Sequence, residues 1–149
     1  MLQGYLMSKN IEILYNLAQK GCVTHSSRFH ADDVLSAALL KISGVIPDVS
    51  VIQRVGRVPQ DFDGLAFDIG GGEFDHHQHN ARVRPNGNKY AAFGLLWNAV
   101  GVEYIAGKYK TDIKTINSNY PYRSCRTLTR ICAVFNISTC KVLLTRFYS

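Results

Sequence analysis

Short apolar segments alternate with helix-like segments between residues 21 and 101. The segment GCVTH predicts a buried strand that ends at His25. The segment DDVLSAALLKISG places its apolar residues at helical spacing, which predicts a helix that begins at Asp32 or Asp33 and ends at Gly44. This alternation indicates an α/β fold with a mainly parallel sheet and flanking helices.

The other predicted elements fit the same architecture. They are, in chain order, a helix over SKNIEILYNLAQK, strands over VSVIQRV and GLAFDIG, a fourth short strand or strand edge over EFDHH, a turn over RPNGN and a buried helix over YAAFGLLWNAVG. Ligands of parallel α/β sheets gather at the carboxyl ends of the strands. We therefore expect His25 and Asp68, which follow or end two of these strands, to lie at the edge where a site is built.

The distribution of charge divides the chain after about residue 100. Residues 1–100 hold nine Lys/Arg and nine Asp/Glu, whereas residues 101–149 hold eight Lys/Arg and two acidic residues. A length of 149 residues suits about one domain. We predict a metal-binding α/β domain over 21–105, a helical N-terminal extension over 1–20 and a basic, cysteine-containing tail over 106–149.

Composition excludes several classes of protein. No stretch approaches the ~18 apolar residues of a membrane helix. The N-terminus lacks a basic head followed by an apolar run, so we expect a cytoplasmic protein. In the tail, Cys125, Cys132 and Cys140 are separated by six and seven residues. Structural zinc sites pair cysteines that are two to four residues apart, so we expect free thiols.

Two clusters of histidine and aspartate hold nearly all the plausible metal ligands. The first is His25, His30, Asp32 and Asp33, and the second is Asp68, Asp75, His76 and His77. Nitrogen and oxygen ligands without thiolates suit manganese, magnesium, iron or zinc. The set is larger than one ion needs, whereas two ions that share one aspartate would use all of it.

Three glycines, Gly70 to Gly72, separate Asp68 from Asp75. Glycine adopts positive φ at no steric cost, so the run either makes a sharp turn or offers its amides to an anion. A Walker-type phosphate loop is excluded, because no Gly-Lys-Ser/Thr follows.

Three motifs resemble those of a known family. The segments THSSRFHADDVLSAALL, DIGGGEFDHHQ and RPNGNKYAAFGLLW are similar to motifs of the DHH phosphoesterase superfamily, and more narrowly of its Myg-one-type metal-dependent hydrolases. The resemblance covers about residues 23–105. It implies a two-metal phosphoesterase of the exonuclease type, usually manganese-dependent, with magnesium or zinc as alternatives. The implied substrates are RNA or DNA ends, small phosphoesters or pyrophosphate.

The resemblance also implies roles for individual residues. Asp68 becomes the bridging, catalytic carboxylate, and His77 contacts substrate phosphate and takes part in catalysis. Arg82 and Arg84 are candidates for substrate binding, since a guanidinium matches phosphate oxygens. The implied metal ligands are His25, His30, Asp32, Asp68, Asp75 and His76.

Family members are about twice as long and carry a further acidic motif and a substrate-holding domain. Resemblance fades after about Lys110, so we expect an incomplete, truncated DHH-type N-terminal domain. One alternative is therefore a catalytically incompetent metal-binding fragment that self-associates through an exposed apolar face. Another is a basic nucleic-acid-binding module. The Lys/Arg residues of the tail suit phosphates, and the interleaved tyrosines Tyr104, Tyr109, Tyr120 and Tyr122 suit bases.

Overall fold

A computed structural model of the chain describes residues 9–47, 50–84 and 87–115 and has an α/β fold. Three parallel strands form one small sheet in the order β2–β1–β3. They are β1 (Cys22–His25), β2 (Gln53–Val55) and β3 (Leu65–Ala66). In the central strand, Val23 lies opposite Gln53 on one side and Ala66 on the other. The predicted parallel sheet with flanking helices is confirmed.

The sheet is smaller than the sequence predicts. Strands β2 and β3 have three and two residues, and residues 73–77 form turns and irregular backbone instead of a fourth strand. The prediction for EFDHH was therefore wrong. A backbone hydrogen bond within the loop takes the place of strand pairing. In this bond the Asp68 amide donates to the Phe74 carbonyl at 2.9 Å.

Helices α1 (Lys9–Lys20) and α2 (Ala31–Ile42) lie where the amphipathic patterns predict them. Gly44, with φ of 78°, follows the second helix in the left-handed conformation that glycine favours. The start of α2 differs from prediction, because His30 occupies the N-cap position rather than either aspartate. Asp33 lies one turn later, and its Oδ2 accepts the His30 amide at 3.1 Å.

The buried helix extends further than predicted, to Tyr109. It consists of α3 (Ala92–Leu96), a π-helical turn (Trp97–Gly101) and α4 (Val102–Tyr109). The π turn brings the Trp97 ring over Gly101, where a Cβ atom would lie 2.4 Å from a ring carbon. A larger residue at this position would force the ring or the helix to shift, so glycine is the residue that fits beneath the ring.

The core fills the space between the sheet and the helices. Trp97 is 3% exposed and belongs to this core, as predicted. Its fully buried members include Leu39, Leu40, Leu65, Phe67 and Leu96. The free thiol of Cys22 is buried in β1, and burial raises its pKa to about 12. No helix among residues 9–47, 50–84 and 87–115 combines the length and apolar character needed to cross a bilayer.

Most of the predicted basic tail, from residue 116 onward, lies outside the described residues. Its three cysteines and the tyrosines at 120 and 122 lie there too, so their predicted roles stay predictions. Tyr104 and Tyr109 are described on α4, each within 6 Å of the Lys108 ammonium.

Candidate metal centre

The carboxyl ends of the parallel strands β1 and β3 meet at one edge of the sheet. His25 is the last residue of β1, and Asp68 follows β3 by two residues. Because these strands are paired neighbours, their ends lie side by side, and His25 Nε2 comes within 3.2 Å of Asp68 Oδ2. This convergence is the one that the alternation of strands and helices predicts.

One group of four ligand atoms lies on the β1 side of Asp68. It consists of His25, His30, Asp33 and Asp68, with one ligand atom from each residue within 4.8 Å of the others. His25 Nε2 lies 3.0 Å from His30 Nε2 and 3.0 Å from Asp33 Oδ1. His30 Nε2 lies 3.4 Å from Asp68 Oδ2. Two imidazoles and two carboxylates in this arrangement could hold a metal ion.

A second group lies on the opposite side of the same carboxylate. It consists of Asp68, Asp75, His76 and His77, again within 4.8 Å of one another. His76 Nδ1 lies 3.1 Å from Asp68 Oδ1, and His77 Nδ1 lies 3.7 Å from it. Oδ2 of Asp68 therefore faces the first group, and Oδ1 faces the second.

The environment of Asp68 is energetically unfavourable for a charged carboxylate. Its side chain is 0% exposed, and neither carboxylate oxygen accepts a hydrogen bond from a described residue. Burial raises the pKa of Asp68, and the negative charge of Asp32 adds to this, while His76 and His30 oppose it. The φ of Asp68 is 58°, in the left-handed region. A buried carboxylate without donors needs a cation, so the residues present fit a metal ion.

Asp75 is held quite differently. Its Oδ2 accepts the Gly71 amide at 2.7 Å, and its Oδ1 accepts the amide of His77 at 3.0 Å. The His77 ring Nδ1 also lies 2.7 Å from Oδ1. Burial acts to raise the pKa of Asp75, but these hydrogen bonds outweigh it and hold the pKa below its ordinary value.

The glycine run makes the sharp turn that one of its two interpretations predicts. Gly70 and Gly71 have φ of 91° and 69°. A Cβ on Gly70 would also lie 2.8 Å from a methyl group of Val58. The Gly71 amide donates to the carboxylate of Asp75, so the anion that this amide binds belongs to the protein itself.

Comparison with known proteins identifies the family of the chain. Residues 21–128, which are 108 of the 149 residues, match the family model MYG1_exonuc, described as "Uncharacterised protein family (UPF0160)". The chain belongs to the MYG1_exonuc family. No curated protein and no solved structure gave a significant match to the chain. The MYG1_exonuc match includes every residue of both ligand groups and continues past residue 105, where we placed the domain end.

The two aspartates at the start of α2 have different environments in this MYG1_exonuc member. Asp32 lies outside both ligand groups; its Oδ1 accepts the Phe93 amide at 2.8 Å, and its Oδ2 is 3.8 Å from His76 Nδ1. Asp33, which is absent from the predicted ligand set, joins the first group. The pattern gave no signal for this, because Asp32 and Asp33 are adjacent acidic residues in the first turn of α2.

The two arginines predicted to bind substrate lie away from the pocket that opens beside Asp68. This pocket has a volume of about 490 Å³, and neither Arg82 nor Arg84 is among its described lining residues. Arg82 instead lines a separate cavity of about 430 Å³ between α1 and α3. His77 does line the pocket, with its side chain 56% exposed.

Sequence reasoning missed two residues that support His25. Ser27 Oγ lies 2.6 Å from His25 Nδ1, on the opposite side of the ring from the ligand group. Arg54, from β2, donates through Nε to the His25 carbonyl at 3.3 Å and through Nη2 to the Ser27 carbonyl. The position of Ser27, two residues after His25, is only a weak sequence signal for its contact with that ring. The sequence gives no signal for the contact of Arg54, because this contact depends on the pairing of β1 with β2.

Proposed function

We propose that the chain is a metal-dependent phosphoesterase of the exonuclease type that hydrolyses phosphodiester bonds. The observation that carries this proposal is the fully buried Asp68, whose two oxygens lack hydrogen-bond donors among the described residues and face two separate ligand groups. The family name, which contains "exonuc", supports the same class of reaction. A carboxylate shared between two ions is typical of two-metal hydrolytic sites.

We propose that Asp68 would be shared by two divalent ions, with manganese as the first choice and magnesium or zinc as alternatives. His25, His30 and Asp33 would hold one ion with it. Asp75, His76 and the Oδ2 atom of Asp32 would hold the other. When bound, such a pair of ions supplies an activated water and neutralises charge on the phosphoryl oxygens.

His77 is the residue that we propose for contact with substrate phosphate. Its ring Nδ1 lies 2.7 Å from Asp75 Oδ1, so a hydrogen on Nδ1 is donated to that carboxylate. The imidazole is thereby oriented, and its Nε2 is left for the exposed side of the ring. When the ring is protonated on both nitrogens, Nε2 would donate a hydrogen bond to a phosphate oxygen.

The proposed substrates are RNA or DNA ends, with small phosphoesters as the second choice. Arg82 and Arg84 remain proposed contacts for a more distant part of a polynucleotide, because they lie outside the pocket lining at Asp68. Pyrophosphate, the remaining candidate, would contact only the metal centre and not these arginines.

The test of the proposal compares Asp68→Asn with Asp63→Asn. Asp63 is an exposed aspartate that pairs with Lys20 outside both ligand groups, which makes it a matched control. We expect two manganese ions per chain by calorimetry, and manganese-dependent hydrolysis of bis(p-nitrophenyl) phosphate, in the wild type and in Asp63→Asn. We expect loss of at least one ion and of turnover, by 10²-fold or more, in Asp68→Asn.

Retained turnover in Asp68→Asn would refute the role of Asp68. Stoichiometric manganese binding without any turnover on diester substrates would favour a catalytically incompetent metal-binding protein. Nucleic-acid binding that persists without metal and weakens steeply with salt would favour a basic binding module.

A further inference from the structure

An exposed aromatic ring lies in the loop that connects two of the ligand histidines. Phe29 directly precedes His30 and is 52% exposed, which is unusual for a large apolar side chain beside a polar pocket. The guanidinium carbon of Arg54 lies 3.7 Å from the centroid of the Phe29 ring. At this distance the guanidinium stacks on one face of the ring, and the remaining surface stays open to solvent.

The guanidinium of Arg54 is fixed by two hydrogen bonds to backbone. Its Nε donates to the carbonyl of His25, and its Nη2 donates to the carbonyl of Ser27. One acceptor is the last residue of β1, and the other lies in the loop that contains Phe29. The Phe29 ring and the Arg54 guanidinium are therefore held in contact with each other. Little of their conformational freedom is left to lose when a ligand binds.

Phe29 and Arg54 are chain neighbours of residues that line the pocket at Asp68, although neither is itself a lining residue. His30, which follows Phe29 in the chain, lines the pocket, as do Val55 and Gly56, which follow Arg54. The pocket thus extends from the ligand groups to Val55, the last residue of β2, which is one residue from Arg54.

We propose that Phe29 and Arg54 form a stacking site for the base of a nucleotide whose phosphate lies at the metal centre. Aromatic rings and guanidinium planes are the two protein groups on which nucleobases stack, and both are present here in contact. This inference rests on the proposed function and narrows its substrate class to nucleotides and nucleic-acid ends. Pyrophosphate and simple phosphoesters carry no ring for such a site.

The test measures binding to the manganese-loaded protein by calorimetry, with adenosine 5′-monophosphate and ribose 5-phosphate as probes. The two probes share a phosphate and a sugar and differ in the base. We expect the nucleotide to bind about 10-fold more tightly, which is the order of magnitude of one stacked base. Phe29→Leu is expected to remove this difference, and Phe29→Tyr to keep it.

Tyr15→Leu is the matched control, because Tyr15 is another partly exposed aromatic residue, lies on α1 and is not among the lining residues of the pocket at Asp68. We expect it to leave both affinities unchanged. Thermal melts of all variants check that the fold is retained.

Equal affinity for the two probes in the wild type would overturn the stacking site and leave the phosphoesterase proposal intact. The same holds if Phe29→Leu weakens both probes equally, since the ring would then only support the loop. Failure of both probes to bind the metal-loaded protein would overturn both proposals together.

Discussion

Ser27 and Asp33 show how single side chains orient the ligands of this centre. Ser27 Oγ contacts Nδ1 of His25, so Nε2 of the same ring faces Asp33 and Asp68. Asp33 accepts the hydroxyl of Thr24 at 3.1 Å and the amide of His30. Groups that bind a ligand residue from behind fix its tautomer and direction, and so tune metal affinity.

Removal of the Ser27 hydroxyl is expected to weaken metal binding. In Ser27→Ala, His25 loses the acceptor that keeps the hydrogen on Nδ1, and manganese affinity should fall by about 10- to 100-fold. Calorimetry with MnCl₂ measures the change. Ser26→Ala is the control, because Ser26 lines the same pocket and its amide bonds to Val55 rather than to His25. Equal affinities of Ser27→Ala and the wild type would remove this role.

At the residue scale, most of the predicted ligands lie close together in the structure, and their role as ligands stays a prediction. His25, His30, Asp68 and the Asp75–His77 segment lie in the two ligand groups. The choice between Asp32 and Asp33 was not decidable from the pattern, since both are adjacent acidic residues in the first turn of α2. It depends on where the helix starts, because a shift of one residue rotates a side chain by about 100°.

At the scale of elements, helices were easier to predict than strands. The amphipathic patterns of α1 and α2 determine which face is buried, and both helices lie where those patterns indicate. Strands β2 and β3 have only three and two residues, because their length depends on partners that are distant in sequence. The π turn after Leu96 was not predicted, since the apolar pattern of this segment gives no signal for a change of helix type; within the turn, the Trp97 ring contacts Gly101, four residues later in the same helix.

That contact can be tested by substitution of the glycine. In Gly101→Ala the new methyl group would lie 2.4 Å from a Trp97 ring carbon, so the ring or the helix must shift. We expect a loss of about 1–3 kcal/mol in the free energy of unfolding, measured by urea denaturation. Gly72→Ala, where a Cβ meets no atom within 4 Å, should change it by about 0.5 kcal/mol or less. Unchanged stability of Gly101→Ala would show that the turn adapts to a larger residue.

At the scale of the whole molecule, stability and metal binding are linked. Asp33, Asp68 and Asp75 are buried carboxylates that converge on the sheet edge with the core directly behind them. A cation that binds only the folded chain neutralises this concentration of negative charge. The fold is therefore expected to be more stable with metal than without it.

This linkage predicts a metal-dependent melting temperature. At a free manganese concentration about 100 times the dissociation constant, the added stability is about 2.7 kcal/mol. For a chain of this size the corresponding rise is about 5–10 °C, measured by scanning calorimetry. Chelation by EDTA should reverse the rise, and Asp68→Asn should greatly reduce it. A melting temperature that does not respond to manganese would contradict the metal centre.

The carboxylate of Asp32 joins two distant parts of the chain. Its Oδ1 accepts a hydrogen bond from the amide of Phe93, which lies 61 residues later in the first turn of α3. Its Oδ2 faces His76. Any displacement of this side chain at the sheet edge therefore changes its contact with the helical segment that runs from Ala92 to Tyr109. Asparagine could keep the tether but would give up the charge, and alanine would release both ends.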